Sequence, residues 1–482
     1  MPLLFIIFTP LAAAVLSILA GKKIKFIEAA TLVASLAEFI AGLVIVSQVL
    51  RGGSSSATAY LSIDALGAIL ILILGTVGLM ASWYSVGYLR EEMSKQIIGA
   101  TRVRQYYILL NLFLMAMFLA IASTSPIIMW IAIEATTLST AFLISFYSKP
   151  SAMEAAWKYL IINSVGLLLA FFGTLLFLAP AFSNGAGHGL ASWQGLMAGA
   201  PLLDPMIAKI AFIFVFVGYG TKMGLAPMHT WLPDAHSKAP VPISSLLSGV
   251  LLNVAFFAIL RFKSVVDIAV GQAFSRELLI IFGIISIAVA AFIIFVQKNY
   301  KRLLAYSSIE HMGILALGFG FGGIGIFGAV LHMIYHSLAK SILFLSSGNI
   351  FLKYSSTKIA NVKGVLKTLP VSGVIFFAGF LAITGTPPFG LFLSKIYILS
   401  AGFSAHPIVS ILALLLFGLV FAGFLKHVMA MVFGEPQENI PAGERGWGAV
   451  LPLMILAAIL IILSFYIPAP LKSLINSVVA AY

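Results

Sequence analysis

The chain has 482 residues, of which 61% are hydrophobic and 9% are Asp, Glu, Lys or Arg, with a formal net charge of +13. A soluble domain carries about 25% charged residues, so the charges present are too few to clothe a water-facing surface and lipid must be the outer solvent. The absence of cysteine excludes disulfides, thiolate-held iron–sulfur clusters and Cys-based zinc sites; the basic excess sits in short loops between apolar runs, a pattern of membrane topology that argues against nucleic acid as a partner.

A hydrocarbon core ~30 Å thick needs about 20 apolar residues per helix. Applied in chain order, this predicts an all-α polytopic membrane protein, a single membrane domain over 1–482 with about 14 spans. They fall at 3–20, 26–50, 61–88, 104–123, 125–147, 154–179, 206–236, 240–261, 277–296, 301–320, 322–352, 370–402, 406–433 and 447–466. The first run is followed, not preceded, by Lys22, Lys23 and Lys25, so it is expected to be a retained helix and not a leader. The runs 206–236, 322–352 and 370–402 are too long for straight spans and carry polar or Pro/Gly interruptions, so all three are read as broken helices. The longest loops are expected at about 180–205 and 434–446. The glycine-rich run Gly318–Gly328 lacks a following Gly-Lys-Ser/Thr and reads as a tight turn, not a phosphate loop.

With both termini outside, the inner loops hold 19 Lys and Arg, from Lys22 to Arg445, against six outside: Arg51, Lys209, Arg261, Lys263, Arg276 and Lys472. That bias, and the even number of spans, orient the chain in a plasma membrane. Three lysines remain, Lys222, Lys340 and Lys395, and all fall inside spans.

A charge at a helix centre costs roughly 2.5–3.5 kcal/mol on insertion scales, so residues held there need a reason. The alternatives to function are a structural ion pair or a lysine snorkelling to the interface. Glu134 lies eight residues after Pro126, about 12 Å into the layer at ~1.5 Å per residue. Lys222 precedes Pro227, which removes a backbone donor and opens the turn before it; open backbone at membrane depth is tolerated where it lines a wet cavity or is buried in protein. His332, His336 and Lys340 are spaced i, i+4, i+8 on one helix face, with Ser337 and Ser341 beside them, the look of a proton path. Metal ligation by His332 and His336 is the rival reading, but no further carboxylate on the stripe completes a site. Lys395 follows Gly385-Thr-Pro-Pro-Phe-Gly390, a second Pro-broken span that echoes the first and points to repeated halves. Glu310 and His311 are expected as intramembrane partners of the stripe. Asp64, Lys158, His229, Asp234 and His236 rank second, the last three near a helix end where solvation explains them equally well. Glu38, mid-span, is read as facing a partner subunit. The sequence offers no electron- or nucleotide-binding motif, so no cofactor is expected and the energy source lies in another subunit.

The segment from Thr221 to Leu252 (TKMGLAPMHTWLPDAHSKAPVPISSLLSGVLL) resembles the antiporter-like subunits of respiratory complex I, a family shared with Mrp-type cation/proton antiporters and membrane-bound group 4 hydrogenases. KRLLAYSSIEHMG (Lys301–Gly313), HMIYHSLAKSILFLSSG (His332–Gly348) and Gly385–Lys395 resemble further blocks of that family in the same order. The wording SSIEHMG and LLSGVLLN is similar to the hydrogenase-4 component F type. The resemblance implies two inverted five-helix repeats, over 104–261 and 277–433, and an input pair of Glu134 and Lys222. It implies a lateral proton relay continued by His332, His336, Lys340 and Lys395, no catalytic residues, and assembly beside homologous membrane subunits driven by a redox arm. Many relatives carry Lys or His in the eighth span where this sequence has Ser248 and Asn253, which interrupts the relay at its centre. The sequence stops soon after the fourteenth span, so no long lateral C-terminal helix is expected. The alternatives are an Mrp-type Na⁺/H⁺ antiporter subunit without a redox arm, and a scaffold that has lost pumping. Sodium would favour oxygen ligands, and only scattered Ser/Thr and Glu134 supply them.

Overall fold

The computed structural model describes residues 1–183, 192–436, 440–444 and 446–482; Arg445 and parts of both long loops lie outside the described residues. The chain runs α1 (Pro2–Leu19), α2 (Ile24–Gly52), a hairpin of β1 (Ser55–Thr58) and β2 (Leu61–Ile63), α3 (Ala65–Ser94), α4 (Ala100–Ala122), α5 (Pro126–Ile144) and α6 (Pro150–Ser183). It continues with α7 (Trp193–Gly199), α8 (Pro205–Met223), α9 (Trp231–Lys238), α10 (Val241–Leu246), a π turn (Leu247–Leu251), α11 (Leu252–Val270), α12 (Gln272–Val296), α13 (Tyr300–Phe321) and α14 (Ile324–Tyr354). Last come α15 (Val365–Thr368), α16 (Pro370–Thr384), α17 (Gly390–Ala405), α18 (Pro407–Val432), α19 (Trp447–Phe465) and α20 (Ala469–Ala481). Among the described residues 13 helices are long and apolar enough to cross a membrane. The pair α16 and α17, each too short alone, forms a fourteenth span. The chain is therefore an all-α, multi-pass membrane protein whose only sheet among the described residues is that two-stranded hairpin.

Burial is inverted relative to a soluble protein. Large apolar side chains such as Phe142, Leu168, Phe292 and Leu415 are exposed on the outside, where hydrocarbon meets them. Lys222, His311, His332, His336 and Lys340 are wholly buried. The span Val241–Val270 and α13 are buried along their full hydrophobic length, while α19 is mostly peripheral. The polar residues thus converge on central helices, where backbone and side-chain partners replace water.

Two of the three expected breaks are present. α8 stops at Gly224, whose φ of +81° places it in the left-handed region, and the unwound segment leads to Trp231. The opened turn finds substitutes: the Trp231 indole donates to Thr221 O at 2.8 Å, and the Ala226 N–H donates to Ser286 Oγ at 2.9 Å. The second break repeats this logic. α16 stops at Gly385 with φ +80°, the Gly390 N–H donates to Ser464 Oγ, and the Lys395 ammonium donates to Thr384 O at 3.3 Å.

The third expected break is absent: 322–352 is a turn at Gly322–Gly323 followed by one unbroken helix, α14. It holds no proline, and Ser337, Ser341 and Ser346 donate to carbonyls one turn back on the same helix. These hydroxyls are satisfied without unwinding. The eighth span runs to Val270, nine residues past its expected end at 261, so Arg261 and Lys263 lie on a helix and not in a loop; Lys263 is buried and pairs with Asp267.

Interloop contacts gather the basic loops at one end. Lys95 donates to Leu352 O at 2.9 Å, Lys238 to Ser151 Oγ at 3.0 Å, and Tyr300 N to Thr357 O at 3.1 Å. This end carries Lys22, Lys23, Lys25 and Arg90 and is called the basic face below.

α6 and α8 pack through glycine. A Cβ at Gly218 would stand 2.4 Å from Gly166 O, a contact that forces the helices apart one turn before Lys222. Gly218→Ala is expected to cost about 1–3 kcal/mol. Gly418→Ala, whose Cβ would meet nothing within 4 Å, is expected to be neutral or to stabilise by about 0.5–1 kcal/mol. Thermal melts of the two purified variants check the contrast.

Candidate functional site

The site builds from α5, α6 and α8 at one side to α13, α14 and α17 at the other. Lys222 sits in the last turn of α8, brought inward by the break. Its ammonium donates to Thr137 Oγ1 at 2.9 Å and Tyr159 OH at 2.7 Å and lies over the Tyr159 ring. Thr140 Oγ1 gives its hydrogen to Thr136 O and so accepts from Tyr159 OH at 2.6 Å. The tyrosine oxygen is thereby left as an acceptor for the lysine.

Glu134, on α5, is half-buried. Its Oε1 accepts from Ser164 Oγ at 3.0 Å, while its Oε2 has no protein partner. Among the described residues no ion pair joins Glu134 to Lys222; Thr137, one helical turn after Glu134, holds the lysine instead. The expected input pair is near in the fold but not in contact.

On the other side, Lys340 of α14 donates to Leu304 O at 2.7 Å and to Ser307 Oγ. His332 and His336 lie on the same stripe, and His311 of α13 packs against both. His311 Nδ1 and His332 Nε2 are 2.7 Å apart, and His332 Nδ1 is 2.9 Å from Ser394 Oγ. Ser394 gives its hydrogen to Leu391 O, so it accepts from His332 Nδ1–H. A neutral His332 then presents Nε2 as an acceptor, and His311 Nδ1–H is the donor. The order is directional, from His311 to His332 to Ser394. The His311 Nε2 lies 3.8 Å from Glu310 Oε2, and Glu310 Oε1 pairs with the Lys395 ammonium at 3.2 Å. His336 stacks on His311 with ring centroids 4.9 Å apart, and neither of its nitrogens has a hydrogen-bond partner.

The eighth span meets the second side through Ser248 and Asn253. Ser248, in the π turn, is 2.7 Å from Ser308 Oγ, beside the Ser307 that holds Lys340; Asn253 donates to Ser337 Oγ at 2.9 Å. His236 is buried near this junction, stacked on Phe344 at 5.0 Å, with both ring nitrogens unpartnered. The break in the seventh span turns α9 inward, so His236 is enclosed and a solvated role at a helix end does not fit it. His229 sits in that break, its Nδ1 unpartnered and its ring 6.2 Å from Tyr306.

Other second-rank residues lie away from this line. Lys158 is half-exposed and pairs with Glu154 at 2.6 Å and Asp234 at 3.6 Å; Asp234 also pairs with Arg302 at 2.5 Å. Asp64 caps α3, accepting from Gly67 N at 2.9 Å, and pairs with Arg261 at 2.6 Å. Glu38 is 2% exposed within the chain, which rules out the reading that it faces a partner subunit. Among the described residues no group of three or more His, Asp or Glu side chains gathers as a metal site.

Sequence reasoning missed Tyr159, Thr137, Thr140, Ser307, Ser308 and Ser394, the neutral groups that receive the charged ones. The clustering of Ser and Thr after Glu134 and before Glu310 was the available signal; Tyr159 had none.

This geometry defines a membrane protein with a buried row of titratable groups. A family model described as "NADH:quinone oxidoreductase/Mrp antiporter, TM" matches residues 123–422, and the chain belongs to that family. It is 39% identical over 386 residues to a hydrogenase-4 component F homolog of Methylacidiphilum infernorum, covering 79% of this chain and 80% of the relative. It is 30% identical to NADH-quinone oxidoreductase subunit L of Mycobacterium tuberculosis, of whose length it spans 61%. Two solved structures share the fold, each with a TM-score of 0.87. One comes from an archaeal membrane-bound sulfane sulfur reductase, at 23% identity over 99% of this chain and 97% of that one. The other comes from the Mrp complex of Dietzia sp., at 19% identity over 100% and 96%.

Asp64 offers a pH prediction outside the spans. Burial pushes its carboxyl up, but the Arg261 charge and the Gly67 and Arg261 hydrogen bonds outweigh this and hold it below 3.8. The stability it contributes is therefore fully present above its unfolded pKa and is lost as pH falls through the lower folded value. Its side chain is 40% exposed, so solvent screening limits the effect to about 0.2–1 kcal/mol. Thermal melts between neutral pH and the acid range are expected to fall less steeply for Asp64→Asn than for wild type.

Proposed function

We propose that the chain is the proton-translocating, antiporter-like subunit of a redox-driven membrane complex of the hydrogenase or NADH:quinone oxidoreductase type. One observation carries this reading: Lys222 and Lys340 are wholly buried and are held by hydroxyl and carbonyl oxygens, with no carboxylate in ion-pair contact among the described residues. A lysine kept for structure would sit in a tight ion pair. A lysine held only by neutral acceptors can give up its proton and leave no unpaired charge behind. Glu134 then acts as a mobile counter-charge: an approach toward Lys222 favours the ammonium, and withdrawal favours the free amine.

The proton passes from the Lys222 cluster to Lys340 through the Ser248–Ser308 hydroxyls and water, with His236 and His229 beside the gap. It goes on through His336, His311 and His332 to the Glu310–Lys395 pair. Moving one charge against 100 mV requires ~2.3 kcal/mol, which a redox partner subunit supplies. The family membership and the component F likeness support homologous membrane subunits as neighbours in a plasma membrane. The excess of Lys and Arg on the basic face supports a cytoplasmic basic face with both termini outside. The matching breaks at Gly224 and Gly385 support reading 104–261 and 277–433 as two inverted repeats.

The equal fold likeness to the Mrp complex favours a second reading, a Na⁺/H⁺ antiporter subunit without a redox arm. Ion pumping and redox turnover of the reconstituted parent complex test both. Lys222→Ala and Glu134→Gln are expected to lower pumping by an order of magnitude while the complex still assembles. Normal pumping in both assembled variants would show these charges to be structural. Transport that requires Na⁺ and proceeds without redox turnover would favour the antiporter.

A further inference from the structure

A second buried polar line lies outside the axis, in helices that the family model does not match. On α2, Glu28, Thr31, Ser35 and Glu38 follow one another at i, i+3, i+7 and i+10, a single face, and all four are buried. From Glu28 to Glu38 this face covers about 15 Å at ~1.5 Å per residue. At the basic face Arg90 of α3, 55% exposed, pairs with Glu28 at 2.5 Å. Further in, Asn111 of α4 donates to Thr31 Oγ1 at 3.0 Å, and Ser35 donates to Ser82 Oγ of α3 at 3.0 Å. Three buried atoms along this seam have no protein partner: Tyr107 OH, Asn111 Oδ1 and Glu38 Oε1. At the inner end α3 lies close against α2, where a Cβ at Gly75 would stand 3.3 Å from Phe39 Cα.

A purely structural seam would close on itself. Buried polar atoms in folded proteins almost always find partners, and water fills the role where protein does not. Unsatisfied oxygens at three levels of one polar face mark a hydrated track. Its opening is the exposed Arg90 beside Glu28, and it ends on the Glu38 carboxyl, which makes no ion pair among the described residues. A carboxylate in that position is costly unless water or a proton meets it.

We propose that α2, α3 and α4 enclose a second proton-access path, which opens at the Glu28–Arg90 pair and ends on Glu38, a mid-membrane carboxyl that exchanges protons with the basic face separately from the Lys222–Lys395 axis. A proton entering at Glu28 moves along water and the Thr31, Ser35 and Tyr107 hydroxyls, each releasing one hydrogen as it receives another. Asn111 positions Thr31 and carries no proton. Uptake converts the Glu38 carboxylate to the acid, and release reverses the same steps.

Infrared difference spectroscopy of the full chain in lipid tests this through the carbonyl band of a protonated carboxyl and its shift on transfer to D2O. Glu38→Gln is expected to remove one exchangeable band. Tyr107→Phe deletes a hydroxyl that makes no protein hydrogen bond, so it should leave the melting temperature unchanged while slowing exchange of that band by an order of magnitude. Lys222→Ala should leave the exchange rate as in wild type, which separates this path from the axis and from the fate of the translocation reading. Should Glu38→Gln fail to fold, labelling of wild-type Glu38 by dicyclohexylcarbodiimide, which attacks protonated carboxyls, replaces it, read by peptide mass spectrometry. An unlabelled Glu38, no band lost in Glu38→Gln, or equal exchange rates in wild type and Tyr107→Phe would each overturn the proposal.

Discussion

An ammonium in the middle of a lipid-soluble protein must be surrounded by acceptors, and the architecture is arranged around that need. Lys222 is supplied by Thr137 and Tyr159, Lys340 by Leu304 O and Ser307, and Lys395 by Glu310 and the freed carbonyl of Thr384. The Tyr159 acceptor is itself oriented by a further bond, to Thr140. The two helix breaks belong to the same requirement. Unwinding at Gly224 brings Lys222 to the end of a helix deep in the bundle, and unwinding at Gly385 releases a carbonyl that Lys395 uses.

The three lysines differ in a way that bears on their roles. Lys395 has an ion-pair partner, whereas Lys222 and Lys340 have neutral ones. The row therefore runs from lysines held by neutral acceptors to one paired with a carboxylate, and its histidines are hydrogen-bonded in the order His311, His332, Ser394. In the eighth span, Ser248 and Asn253 bond to Ser308 and Ser337. Small hydroxyls and a π turn stand where a titratable side chain would reach across.

Outside the axis, the seam from Glu28 to Glu38 shows the same chemistry without a lysine. A polar face on a lipid-spanning helix is costly unless other helices cover it, and α3 and α4 supply that cover with Ser82 and Asn111. Glu38 remains the one member of its face that no neighbour satisfies.

The composition and the spacing of apolar runs determined the class, the 14 spans and the list of misplaced charges, because a bilayer allows few alternatives and a Lys or Glu within a run of twenty apolar residues stands out. Proline marked two true breaks. It did not mark 322–352, which length and glycine alone made suspect and which side-chain bonds within α14 keep intact. Tertiary structure alone decided which charges meet. Lys222 turned to a tyrosine 63 residues earlier in the chain and not to Glu134, and Asp64 became a helix cap. His236 was carried into the core, and Glu38 was enclosed and not presented to a partner. Those outcomes depend on how helices far apart in sequence cross, and the hydroxyls that complete the site are too common in any sequence to be noticed before the fold brings them together.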